Sequence, residues 1–430
     1  MAGKFDIFTP GRKGINITKS SLHVDREELI RAQNAELVFD GGELAIGSRA
    51  GMSRINSSAI GSGATLVSIF DSPAKANSEF TEYLYASMAQ AATNNWRRTT
   101  DGATWAGVNS PSKAAGEGGP HFGSNTPQAV TLNNKLYFLV CNAPDTNIWH
   151  LHEWDGTTER IIAAVPKNQV VGQNTLLVSN MVTDGYSLFL SCMDDNVTEP
   201  DLPGRILRIN PRAAVWEQVG NNFSVASENG CPGPLAIHEG FLYWGTSIGA
   251  GSGNTANIGR VPLDAPPGST QSETATASSQ MPTCMLAFRG RLYVGTSSLV
   301  AGTAAIIMER TENGVYATVR TAPQTSVFNT WTSMCVFNGV LYVGWTEGTG
   351  AVTARIDTYD GSAWAVDVNL TAGEVVRQMC VFNSELYVVL GEVTGVSTAS
   401  HVVKRTSGGV WSIVDNVADG YRGQLAILRA

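Results

Sequence analysis

Residues 331–370, WTSMCVFNGVLYVGWTEGTGAVTARIDTYDGSAWAVDVNL, spell out one complete structural unit. An apolar run, Met334-Cys335-Val336-Phe337, meets a tight Asn338-Gly339 turn and returns as Leu341-Tyr342-Val343-Gly344. A polar loop leads to a third strand around residues 355–359, and an Asp360-Gly361 turn leads to a fourth that opens at Trp364. Asn-Gly and Asp-Gly between apolar runs are strong hairpin signals, because both turn residues must tolerate positive φ. The unit is a four-stranded antiparallel meander of about 45 residues.

The same unit recurs. Second strands carry Leu84-Tyr85, Leu136-Tyr137, Leu188-Phe189, Leu242-Tyr243, Leu292-Tyr293, Leu341-Tyr342 and Leu386-Tyr387, spaced by 52, 52, 54, 50, 49 and 45 residues. Trp105, Trp216, Tyr316, Trp364 and Trp411 follow 21 to 28 residues after the leucine and head the fourth strands. The second and fourth repeats lack this aromatic, and the fourth carries a low-complexity insertion over residues 266–280. Four-stranded units at a constant period of near 50 residues predict an all-β fold, a β-propeller of seven blades, with eight open if the 37–48 hairpin joins. Each sheet is apolar on both faces, and radial stacking against two neighbours buries both. The Leu-Tyr and Trp positions are then core between blades. The last residues, GQLAILRA, read as an inner strand with no blade after it, so 424–428 is predicted to dock beside the first blade and close the ring. The domain reading is an N-terminal arm over 1–63 and a propeller over 64–430.

Composition agrees. Charged residues make up 15% of the 430, and glycine numbers 45, as suits a turn-rich β chain. The net charge of −8 argues against nucleic-acid wrapping and sequence-specific nucleic-acid binding, which need a basic face. Six cysteines are too sparse for a disulfide scaffold. Cys335 and Cys380 occupy equivalent repeat positions and read as small buried hydrophobes. No C-x-x-C pair suggests zinc, no eighteen-residue apolar run suggests membrane insertion, and MAGKFDIFTPGRKG lacks a signal-peptide core. The expectation is a soluble, reduced, unexported chain without cofactor or metal.

Candidate chemistry is thin. Thr99-Thr100-Asp101-Gly102-Ala103-Thr104-Trp105 resembles the Asp-box hairpin of sialidase-type propellers, one residue short, and reads as a structural turn. The arginines are scattered along the sequence, so no cluster for a substrate carboxylate is visible. His150 and His152 alternate on one strand and point the same way; a metal pair is conceivable, and an exposed strand face is favoured. His238 replaces a repeat phenylalanine, as a core or pore-lining residue. Asp194, Asp195, Glu199 and Asp201 form an acidic stretch without EF-hand order, favoured as solvated rather than as a Ca²⁺ site. No P-loop, G-x-S-x-G or H-E-x-x-H motif occurs. The expectation is therefore that the chain is not an enzyme. Trp149, Trp154, Trp244, Trp331 and Trp345 fall outside the fourth-strand position; if exposed together they would suit sugar stacking.

Residues 1–60 lie outside the repeat. Asp25-Arg26-Glu27-Glu28 has capping-box spacing and predicts a short helix to about Asn34; residues 37–48 read as a hairpin around Asp40-Gly41-Gly42, with a Gly/Ser-rich linker over 56–63. Gly14-Ile15-Asn16, Glu27-Glu28-Leu29, Ala32-Gln33-Asn34-Ala35 and Gly41-Gly42 together resemble the opening of tailed-phage virion proteins, such as the tail nozzle and DNA-stabilisation proteins of short-tailed phages. Arg49-Ala50-Gly51 departs from that family's usual Arg-Pro-Gly. The resemblance covers about a tenth of the chain. It implies a structural virion protein of tail, nozzle or neck, present in several copies, whose partners are other copies and adjoining virion proteins. Ile15, Asn16, Ile17, Leu29, Ile30, Gln33 and Asn34 are the expected interface. The alternatives are a carbohydrate-binding propeller recognising a host surface glycan through tryptophans exposed at one end of the ring and, third, a propeller hydrolase, which calls for a pocket with converging carboxylates.

Overall fold

The computed structural model describes residues 35–40 and 43–48 and, between residues 81 and 429, the strands with most of the short turns joining them. All regular structure among the described residues is β-strand. The chain divides into two compact units, Met1–Thr81 and Glu82–Ala430. In the first, Ala35–Asp40 and Glu43–Ser48 form an antiparallel hairpin with Asp40 opposite Glu43. That hairpin is a two-stranded sheet of its own. The helix expected up to Asn34 and the 56–63 linker lie outside the described residues.

The second unit is a β-propeller. Its described strands form seven four-stranded antiparallel sheets, two of them linked side to side. Blade 1 runs from the axis outward as Tyr421–Arg429, Glu82–Met88, Trp96–Thr99 and Ala106–Val108. Blade 2 comprises Val130–Leu132, Lys135–Cys141, Trp149–Trp154 and Glu159–Ala164, and blade 3 Thr175–Thr183, Leu188–Asp195, Gly204–Asn210 and Val215–Phe223. Blade 4 is Pro232–His238, Phe241–Thr246, Asn257–Pro262 and Gln271–Ala275; blade 5 is Gln280–Phe288, Arg291–Ser298, Ile306–Arg310 and Tyr316–Thr321. Blade 6 is Asn329–Phe337, Val340–Thr346, Ala354–Tyr359 and Trp364–Asn369, and blade 7 Glu374–Phe382, Glu385–Glu392, Ser400–Arg405 and Trp411–Val417. First strands lie against first strands around the axis, including blade 7 against Tyr421–Arg429 and that strand against blade 2. The ring is closed by the C-terminal strand, whose Leu428 and Ile427 stand opposite Tyr83 and Leu84.

Local chemistry explains the repeat. Asn338-Gly339, Arg289-Gly290, Glu239-Gly240 and Asn383-Ser384 all hold positive φ at both positions, which matches the twist of the strands they join. Turns from third to fourth strand in blades 1, 2 and 6 are capped instead by aspartate. Asp360 Oδ1 accepts from the backbone N–H of Ser362 and Ala363 at 2.7 and 2.8 Å. Asp155 does the same for Thr157 and Thr158, and Asp101 for Ala103 and Thr104. First strands of blades 3 to 7 each carry a register shift, as do most outer strand pairs, and bulges of this kind increase the twist that blades need. Glycine three positions after the repeat leucine admits the next blade. A Cβ on Gly245 would lie 2.6 Å from Pro282, and one on Gly344 would lie 2.4 Å from Val376.

The seams between blades hold the core. Leu136, Leu242, Leu292, Leu341 and Leu386 are fully buried, Tyr137, Tyr243, Tyr293, Tyr342, Tyr387 and Trp105 are buried, and Trp216, Trp364 and Trp411 pack half-buried against neighbouring clusters. The fourth-strand aromatics also take part in a polar clamp across seams. Arg405 and the Trp411 indole N–H of blade 7 both donate to Asp367 of blade 6, at 2.8 and 2.6 Å. Arg310 and the Tyr316 hydroxyl of blade 5 both donate to Glu273 of blade 4, at 2.7 and 2.9 Å. Arg97 of blade 1 pairs with Asp415 of blade 7, which ties the ring where it closes.

Candidate functional site

Antiparallel strands alternate direction, so the ends of second and fourth strands share one end of the ring with the starts of first and third strands. Connections at that end include 109–129, 142–148, 165–174, 196–203, 247–256 and 393–399, whereas first-to-second connections at the other end are mostly two-residue turns. The described strand ends that flank these longer connections thus share one end of the ring, where binding groups are expected.

The most unusual polar chemistry lies in the seam between blades 1 and 2. The third strand of blade 2 reads Trp-His-Leu-His-Glu-Trp, and its alternation puts His150, His152 and Trp154 on one face. His150 and His152 stand opposite Val140 and Phe138, which pack with Trp96 of blade 1. His152 is 5% exposed, and its ring lies 5.6 Å from that of Phe138. The expectation of an exposed strand face is therefore corrected. The pairing of the two rings holds, but their face is turned into the seam because Phe138, Val140 and Trp154 share it.

Glu159 orients this pair. His152 Nδ1 lies 2.5 Å from Glu159 Oε1. The other carboxylate oxygen accepts from the backbone N–H and the hydroxyl of Ser112 at 2.8 and 3.0 Å. Ser112 is itself held from blade 1, its carbonyl accepting from the Trp96 indole N–H at 2.9 Å. A carboxylate acceptor assigns the proton to Nδ1, so the Nε2 lone pair of His152 is left facing the seam. Nε2 of His152 and Nδ1 of His150 are both buried without a hydrogen-bond partner. The rings are 6.4 Å apart, centroid to centroid, at 81°. Such nitrogens can take a proton, a donor or a metal ion. Among the described residues, no three His, Cys, Asp or Glu side chains converge as a metal-ligand group.

Arginines scattered in the sequence are gathered by the fold. Asp357, fully buried, holds Arg320 of blade 5 at 2.6 Å and Arg355 of its own strand at 2.8 Å. Burial pulls the Arg355 guanidinium below its usual range, with the Asp357 charge opposing. Glu273 holds Arg260 as well as Arg310. Burial works against the Glu273 charge, but hydrogen bonds from Arg310 and Tyr316 and the two guanidinium charges outweigh it, so its carboxyl sits below the usual range. These cations face protein carboxylates rather than an open pocket.

Other sequence candidates fall as follows. All ten tryptophans are described and none is exposed; Trp149, Trp154, Trp244, Trp331 and Trp345 are each at most 4% exposed. His238 is buried between Tyr243 and the turn, and burial lowers its imidazole with Glu239 opposing. Asp194 and Asp195 end a strand, and Glu199 and Asp201 lie outside the described residues. So do Ile15, Asn16, Ile17, Leu29, Ile30, Gln33 and Asn34. Cys335 and Cys380 are free, half-buried thiols, and burial pushes Cys335 up to about 12. No helix among the described residues is long and apolar enough to cross a membrane. The Ser112–Glu159–His152 chain escaped the sequence reading because its members come from two blades; only the His-x-His alternation was visible.

No protein-family model matches the chain, and no curated protein matches it in sequence. Solved structures do. A puromycin hydrolase is 12% identical with a TM-score of 0.53 over 78% of this chain and 52% of its own, so the chain spans about half that enzyme's length. A puromycin-hydrolyzing peptidase of Mycobacterium tuberculosis gives 13%, 0.51, 76% and 53%. A Bacteroides fragilis protein assigned as a candidate 6-phosphogluconolactonase gives 9%, 0.56, 81% and 98%. Likeness at such identities shows the fold alone, a β-propeller. The expectation that the chain is not an enzyme is corrected by the same comparisons: these similar structures are enzymes by description.

Proposed function

We propose that the chain is a structural component of a tailed-phage virion, placed in the tail, nozzle or neck and assembling as a multi-copy ring through residues 1–56. The observation that supports this most is the source of the closing strand. Tyr421–Arg429 completes blade 1, and no described strand of Met1–Thr81 pairs into the propeller. The described strands of the segment that resembles the opening of tail nozzle and DNA-stabilisation proteins, Ala35–Asp40 and Glu43–Ser48, pair only with each other. A segment with little apolar content of its own orders by adding to a partner. In this reading Ile15, Asn16, Ile17, Leu29, Ile30, Gln33 and Asn34 meet a neighbouring copy or an adjoining virion protein, and the chain resides in the virion after assembly in the host cytoplasm.

The carbohydrate-binding alternative called for tryptophans exposed together, and none is exposed. The test is deletion of residues 1–56 in an infecting phage, followed by mass spectrometry of purified particles. The truncated chain is expected to accumulate folded in the lysate and to be missing from particles. Incorporation at the full-length level sinks the proposal.

A further inference from the structure

We infer that His150 and His152 bind a divalent transition-metal ion, of the Zn²⁺ or Cu²⁺ class, in the seam between blades 1 and 2. Three features point there. Both rings lie on one face of one strand, with 6.4 Å between centroids. Metal–nitrogen bonds of about 2.0–2.1 Å place two imidazoles on one ion with centroids roughly 5–6 Å apart, a little closer than the rings stand here. His152 is 5% exposed, yet its Nε2 has no partner, and neither has the buried Nδ1 of His150. A buried lone pair without a partner is unfavourable, and each ring keeps a nitrogen for a ligand bond.

Glu159 supplies the third feature. Metal-bound imidazoles commonly donate the other ring N–H to a carboxylate, which fixes the tautomer and raises ligand basicity. Here the carboxylate is itself held by two donors from Ser112, so the orientation of His152 is set before any ion arrives. Imidazole nitrogens suit zinc, copper and nickel rather than calcium or magnesium. With two protein nitrogens, the remaining positions on the ion stay open to water or a small ligand. The ion would sit on blade 2, whose Glu159 is in turn held by Ser112 of the segment leaving blade 1. This inference stands apart from the virion proposal.

The experiment uses the full chain without a polyhistidine tag, stripped with chelator and dialysed against Zn²⁺, with bound metal counted by elemental mass spectrometry. Wild type is expected to keep about one Zn²⁺ per chain, with His150→Ala and His152→Ala each at least about 10-fold weaker and His401→Ala unchanged. Glu159→Gln is expected to weaken binding about 10–100-fold. If His152→Ala fails to fold, electron paramagnetic resonance of wild type with Cu²⁺ serves instead, where coupling to two imidazole nitrogens is expected and is lost in His150→Ala. Zinc retained equally by His150→Ala, or a copper spectrum without nitrogen coupling, overturns the assignment.

Discussion

Replacing Leu428 by alanine tests the closure on which the functional proposal rests. Leu428 is fully buried and packs with Tyr85, Trp96, Leu136 and Phe138, so it joins the last strand to two blades at once. Truncating a fully buried leucine removes its transfer free energy and leaves a cavity, together about 3–4 kcal/mol. An unfolding entropy of about 2.1 cal/mol/K per residue over Glu82–Ala430 amounts to about 0.7 kcal/mol/K, which converts that loss to a Tm drop of about 4–6 °C. Calorimetry on the full chain measures it directly. The companion variant lacks residues 1–56 and is expected to keep the wild-type Tm of the main transition within about 1 °C. Leu428→Ala shifting Tm by less than about 1 °C would mean that the C-terminal strand does not close the ring. A large shift in the deletion variant would mean that the N-terminal segment takes part in the propeller fold.

Two further outcomes follow from the seams and turns. Asp357→Asn leaves Arg320 and Arg355 facing each other without their buried carboxylate, and should destabilise the chain by about 3–5 kcal/mol in urea titrations, since one partner of a buried group is removed; a loss below about 1 kcal/mol would show that solvent reaches both guanidiniums. Asp360 is held down to about 2 by the Ala363 N–H, the Ser362 hydroxyl and the Ser362 N–H. Its folded value lies below the unfolded one of about 3.9, so its stabilisation is full above that pH and fades as pH falls toward 2. Asp360→Ala should lower Tm at neutral pH and should lose less Tm than wild type between pH 4 and pH 2; parallel acid curves for the two would refute the capping role.

What was legible in the sequence is the part encoded by near neighbours. Asn338-Gly339 and the Leu341-Tyr342 pair report a turn and a core position within a dozen residues, and their repetition reports the propeller. The clamps were not legible, because Arg405 and Asp367 come from different blades and their registers depend on bulges that insert one residue without a sequence mark. Nor was the burial of His152, since alternation gives a face and not what covers it. The glycines at 245, 295 and 344 were a signal left unused. Their fixed place after Leu-Tyr marks where the next inner strand passes too close for a Cβ.

If the virion proposal is right, the source of the closing strand separates folding from assembly within one chain. Had the ring been closed by an N-terminal strand, any change in residues 1–56 would have altered stability and incorporation together. Closure by Tyr421–Arg429, tied by the Arg97–Asp415 pair and by Leu428, gives Glu82–Ala430 every strand that the seven sheets use. Under the virion proposal, a binding surface in residues 1–56 could then change without loss of the propeller fold. Changes confined to residues 1–56 should therefore alter incorporation at constant Tm, while changes at seam residues such as Asp357 and Leu428 should alter both.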